Sequence, residues 1–190
     1  MARPLRADVV GLVLTLGLAS ALYVGCSDDQ PKVRSASPGT TAPAEDFEAT
    51  AADFRNLHTM TPVRGFFVDN RLGHLDEALA IARADKGGEY PVGTILQLVP
   101  QEAMVKRREG WNPATGDWEF FSMDVGPQGT EIVTRGADDV VNRFGGNCAS
   151  CHSAAESKFD FVCEQDHGCA PLPVGHDVIE SIQEADPRPT

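Results

Sequence analysis

Positive charge is scarce in this chain: 16 Lys and Arg stand against 28 Asp and Glu in 190 residues, a formal net charge of −12 at pH 7. Such a surface repels phosphate and has few cations with which to displace its counterions. Nucleic acid is therefore excluded as an expected partner, and any partner surface should be basic or neutral. The same acidity can also serve solubility alone. Long apolar runs are lacking too. The longest, Val9 to Leu22, is about 14 residues, against the ~20 that span a bilayer comfortably. No internal repeat is evident, and cysteine is limited to five residues, few enough for each to be given a role.

The N-terminus has the layout of an export signal over residues 1–25: Arg3 and Arg6, the apolar run, then Tyr23-Val24-Gly25-Cys26. Gly25 before Cys26 resembles the lipobox of bacterial lipoproteins, where the thiol takes a diacylglycerol and becomes the mature N-terminus. Tyr23 departs from that pattern, which prefers Leu. An uncleaved anchor and ordinary cleavage nearby are the alternatives. Each puts the rest of the chain outside the cytoplasm, and lipidation of Cys26 would make it a membrane-anchored periplasmic lipoprotein. Residues 26–44 hold almost no large apolar side chain and cannot bury enough surface to offset ordering, so they read as a disordered tether. Residues 45–190 have the length for one domain with a real core.

Asn147-Cys148-Ala149-Ser150-Cys151-His152 contains Cys-x-x-Cys-His, an order that chance would give about 0.003 times in a chain of this composition. Two thiols separated by two residues can reach the two vinyl groups on one edge of a porphyrin. The imidazole next to the second thiol then falls beneath the iron as its proximal ligand. The motif predicts one covalent haem c, held by Cys148 and Cys151 and ligated by His152. A zinc ligand pair and a disulfide within the motif remain open. With Cys26 assigned to lipid and two cysteines to haem, Cys163 and Cys169 are left as the pair for a short-loop disulfide in an oxidising compartment. The rival is a zinc site of Cys148, Cys151, Cys163 and Cys169, which would leave His152 without a role.

Phe47, Ala51, Phe54 and Leu57 recur at spacings of four, three and three, which predicts a first helix over 45–58. Leu75, Ala78, Leu79 and Ala82 predict a second over 73–84, stopped by Lys86-Gly87-Gly88. Val178, Ile179 and Ile182 predict a closing helix over 177–184. Between them the period changes: short segments at 93–99, 103–108, 117–125 and 130–135 are rich in β-branched, aromatic or apolar residues and divided by Pro, Gly or Asn. The predicted fold class is α+β, a small antiparallel β-sheet with N-terminal helices and a C-terminal helix, the haem bound at the Cys-x-x-Cys-His loop. In the third strand Trp118 and Phe120 alternate with Phe121, Met123 and Val125, so both faces are apolar. One face would pack on the helices and the other cover the haem or a partner subunit, unless all five are ordinary core.

A resemblance adds to this reading. Tyr90-Pro91-Val92-Gly93-Thr94-Ile95-Leu96, Ala103-Met104-Val105-Lys106, Gly110-Trp111, Trp118-Glu119-Phe120-Phe121 and the haem motif followed by Asp160-Phe161-Val162 resemble the cytochrome P-460 and cytochrome c′-beta group over roughly residues 47–165. The resemblance implies a periplasmic mono-haem protein, usually a homodimer, built on an antiparallel sheet with helices, its iron bearing a proximal His and an open or apolar distal side. Members that oxidise hydroxylamine carry a lysine, cross-linked to the porphyrin, on the strand after the Pro-x-Gly turn. That strand here, Ile95-Leu96-Gln97-Leu98-Val99, has none, which weakens the enzymatic reading. Lys106 and Lys158, the lysines left near the motifs, read as solvated side chains.

Two functions remain, from different classes. One is a haem protein with a vacant or weakly held sixth site that binds or processes a small nitrogen ligand such as nitric oxide or hydroxylamine, with a periplasmic redox partner. The other is a six-coordinate electron-transfer cytochrome, its distal side closed by Met60, Met104 or Met123, or by His58, His74, His167 or His176. No residue sits in a recognisable distal-ligand motif, and the resemblance favours the open site. A purely structural haem is the third reading.

Overall fold

Apolar alternation over short segments, broken by glycine-containing turns, produces a six-stranded antiparallel sheet. The computed structural model describes residues 45–164 and 166–190. The signal, the tether and Cys26 lie outside the described residues. Strands β1 (Thr61–Val63), β2 (Phe66–Asn70), β3 (Thr94–Gln97), β4 (Glu102–Lys106), β5 (Trp118–Gly126) and β6 (Gly129–Gly136) lie side by side in chain order. The last four are the predicted strands, each end within two residues of expectation. β1 and β2 were not predicted. They form a hairpin in which Val63 pairs with Phe66 across Arg64-Gly65, whose φ values of 46° and 103° belong to a two-residue turn. Pro62 is tolerated because β1 is an edge strand.

Helices α1 (Leu75–Ala82) and α3 (His176–Glu184) answer to the predicted second and closing helices, and a short α2 spans Cys148–His152. The helix predicted over 45–58 does not form; 3-10 turns at Ala51–Asp53 and Leu57–Thr59 take its place. Short polar side chains capture the amides a helix would need: Asp53 accepts from Thr50 N–H at 2.8 Å and Asn56 from His58 N–H at 2.9 Å. The apolar residues still share a side, since Phe54 and Leu57 are buried.

The sheet is covered on both faces. On the front, Val68, Leu96, Met104, Trp118 and Phe120 pack with α1, Tyr90, Val140, Cys148 and Val162. On the back, Ile95, Ala103, Val105, Phe121 and Met123 pack with Ala49, Phe54, Leu57 and Met60. The alternation read in β5 is therefore real, but α1 and the cysteine motif share the front. The irregular N-terminal segment covers the back. A clasp closes that side: Asn56 donates to the carbonyls of Asp186 and Arg188, Leu57 N–H to the Asp186 carboxylate at 2.9 Å, and Arg188 to Phe54 O at 3.1 Å. At the other edge, Met123 pairs with Ile132 and Ser122 with Thr134, so Val133 is an extra residue that bulges outward, which blunts an open edge.

Candidate functional site

The loop from β6 to α2 is fixed before the motif begins. Asn142 Oδ1 accepts from Phe144 N–H and Gly146 N–H at 3.0 and 2.8 Å, and Arg143 N–H donates to Glu102 at the start of β4 at 2.7 Å. Cys148 N–H donates to Val140 O at 3.0 Å. Asn147 caps α2 by accepting from Ser150 N–H at 2.9 Å. One helical turn then sends Cys148 into the front core, leaves Cys151 exposed, and sets the His152 ring 5.2 Å from that of Phe120.

Both motif thiols are unpaired, so the disulfide within the motif does not form. Cys163 and Cys169 are joined, as the cysteine count predicted, and this bond removes two donors from the rival four-cysteine zinc site. Burial, reinforced by the nearby Glu102 and Cys151, pushes the Cys148 thiol up to about 12. The thiolate that zinc requires is thereby disfavoured.

His152 Nδ1 donates to Phe161 O at 2.7 Å, which leaves Nε2 without the proton. Burial lowers the imidazole pKa, against the raising effect of the Phe161 bond. The ring is neutral with a free Nε2 lone pair, the state in which histidine ligates iron.

Behind Phe161 lies a network that sequence reasoning missed. Asp160 accepts from Lys106 Nζ at 2.8 Å through both carboxylate oxygens and from Tyr90 N–H at 2.8 Å, and its carbonyl accepts from Trp118 Nε1 at 2.7 Å. Lys106 Nζ also donates to Gly116 O at 2.8 Å. The expectation of a solvated Lys106 is thus corrected, because the side chain is 4% exposed and fully engaged. Its place on β4 points it at the front face, where Asp160 supplies the counter-charge. Burial raises the Asp160 pKa despite Lys106 and Tyr90. Lys158 is half-exposed, beside Glu156 at 3.1 Å, as expected. The signal available in the sequence was Asp160-Phe161-Val162, eight residues beyond His152, to which spacing alone attaches no chemistry.

The candidate sixth ligands separate by face. Met104 is in the front core with Cys148, whereas Met60 and Met123 are in the back core with the sheet between them and the motif. His58, His74 and His176 are exposed. His167 stacks on Phe159 at 3.5 Å, with Nδ1 2.9 Å from Val162 O and Nε2 3.7 Å from Glu164. No family model, curated protein or solved structure matches this chain. The donor set therefore speaks through its chemistry: two free thiols on one helical turn can add across two vinyl groups, and a neutral imidazole beside them can ligate an iron.

Proposed function

We propose that this chain is an exported c-type mono-haem protein with an open distal side, which binds or processes a small nitrogen ligand such as nitric oxide or hydroxylamine. One observation carries the reading: Cys148 and Cys151 are free thiols beside a His152 whose Nδ1 is anchored and whose Nε2 is bare. Cys148 and Cys151 would hold the haem through thioethers and His152 would be the proximal ligand; the bound iron supplies a site for a diatomic ligand. The chain's own part is to fix the imidazole, whose ring lies 5.2 Å from that of Phe120; an apolar lining around such an iron would favour neutral diatomics over anions. Lys106 is committed to Asp160, which supports a porphyrin without a lysine cross-link and slow or absent hydroxylamine oxidation. An export signal with lipidation at Cys26 completes the proposal, placing the domain in the periplasm on a membrane anchor.

Haem-stained denaturing gels of protein made with a c-type maturation system test the attachment, and loss of all haem on denaturation would refute it. Carbon monoxide added to the ferrous protein tests the distal side: an open iron binds it at once, whereas a six-coordinate one resists. The electron-carrier reading keeps one specific support, the presence of Met104 on the motif's side of the sheet. Met104→Ala should leave the resting spectrum unchanged if the site is open, and a change from six- to five-coordinate would establish the electron carrier.

A further inference from the structure

Two consecutive residues without the freedom of glycine, Asp160 and Phe161, adopt left-handed backbone with φ of 50° and 63°. For a bulky aromatic this conformation is costly and persists only where the surroundings over-determine it. They do so here. The Lys106 ammonium and Tyr90 N–H hold the Asp160 carboxylate, and the Trp118 indole N–H holds its carbonyl. Lys106, Trp118 and Tyr90 all belong to the front of the sheet or the turn leading into it. Gly116 lies under the Phe161 ring, where a Cβ would come within 2.7 Å of Phe161 Cδ2. The product of this forced geometry is one accepting group, Phe161 O, aimed at His152 Nδ1.

We infer that Asp160 is a positioning residue for His152: anchored by Lys106, Trp118 and Tyr90, it fixes the strained peptide whose next carbonyl holds the imidazole with Nε2 bare. The inference rests on the haem reading for its purpose, though not for its geometry. A proximal histidine whose Nδ1–H is held by a strong acceptor is a more electron-donating ligand, and a fixed ring plane sets its orientation under the metal. A buried ion pair kept for stability alone would have no reason to dictate a tautomer.

The test has two arms. In haem-free protein carrying Cys148→Ser and Cys151→Ser, nitrogen NMR of the His152 ring should show the Nδ1–H tautomer. Asp160→Asn and, separately, Trp118→Phe should shift it toward Nε2–H. In haem-loaded protein with both cysteines intact, the same substitutions should lower the iron–histidine stretching frequency of the ferrous state and raise its reduction potential. Folded variants with an unchanged tautomer and an unchanged iron–histidine band would overturn the inference. Trp118→Phe removes one donor without stranding a buried charge, so it decides the matter if Asp160→Asn does not fold. A chain that takes up no covalent haem defeats the haem reading, and the NMR arm still decides the positioning.

Discussion

Met60 and Met104 differ in which side of one sheet they occupy, and that difference separates the distal candidates more sharply than any property of methionine itself. Met60→Leu and Met123→Leu should leave the absorption spectrum of the haem-loaded protein unchanged, because their side chains lie in the back core. A spectral change in either would mean that the sheet does not stand between them and the iron. On the proposed haem reading, Cys148→Ser and Cys151→Ser should each remove one thioether, read as a shift in the absorption of the alkaline pyridine complex, and His152→Ala should remove the proximal ligand. At this scale legibility followed chemistry. The Cys-x-x-Cys-His motif could be singled out as a candidate because its residues are contiguous, whereas Lys106 and Asp160 meet across a separation of 54 positions that no local pattern encodes.

Among the elements, the sheet was readable and the first helix was not. The four later strands alternate under period two and are bounded by turn residues, which a single pass detects. The segment 45–58 has a helical spacing of apolar residues, but Asp53 and Asn56 bind its amides and the apolar side chains reach the sheet from 3-10 turns. The hairpin of β1 and β2 was missed although Arg64-Gly65 marks its turn, since β1 is only three residues long. The read stop at Lys86-Gly87-Gly88 has a further cause. Gly87 has φ of 69°, and a Cβ there would overlap the Lys158 carbonyl oxygen, so Gly87→Ala should cost about 2 kcal/mol in a urea titration. Removing the six-residue disulfide loop by Cys163→Ser and Cys169→Ser should also cost about 2 kcal/mol, modest because the loop is short. Reductant should lower the thermal midpoint of the parent by the equivalent several degrees and leave that of the double variant unmoved.

For the molecule as a whole, acid stability depends on ties between the N-terminal segment and the back of the sheet. Asp46 bonds to Arg107 at 2.9 and 3.1 Å and to Arg108 N–H at 2.9 Å, while Arg107 bonds to Glu119 at 2.6 Å and Glu119 to Arg135 at 2.7 Å. The Arg107 hydrogen bonds, with help from the Arg108 amide and against burial, hold the Asp46 carboxyl down to about 2 from its usual 3.8. A carboxyl with a depressed folded pKa stabilises fully above its unfolded value and loses that contribution as pH falls through the folded one. Screened by solvent, this tie is worth about 1 kcal/mol. Asp46→Asn should therefore lower the urea midpoint at neutral pH, and the gap to the parent should close as the pH falls from about 4 toward 2. A constant gap across that window would assign the loss to packing instead.

The clasp that closes the back core also sets a clock. Asn56 and the carbonyl of Asp186 lie 130 positions apart, so at roughly 5–20 residues per second a ribosome makes the second partner on the order of ten seconds after the first. Until then this clasp cannot form, and the long loop between the partners adds its closure entropy to the barrier. The partner that completes this clasp is thus among the last residues to leave the ribosome.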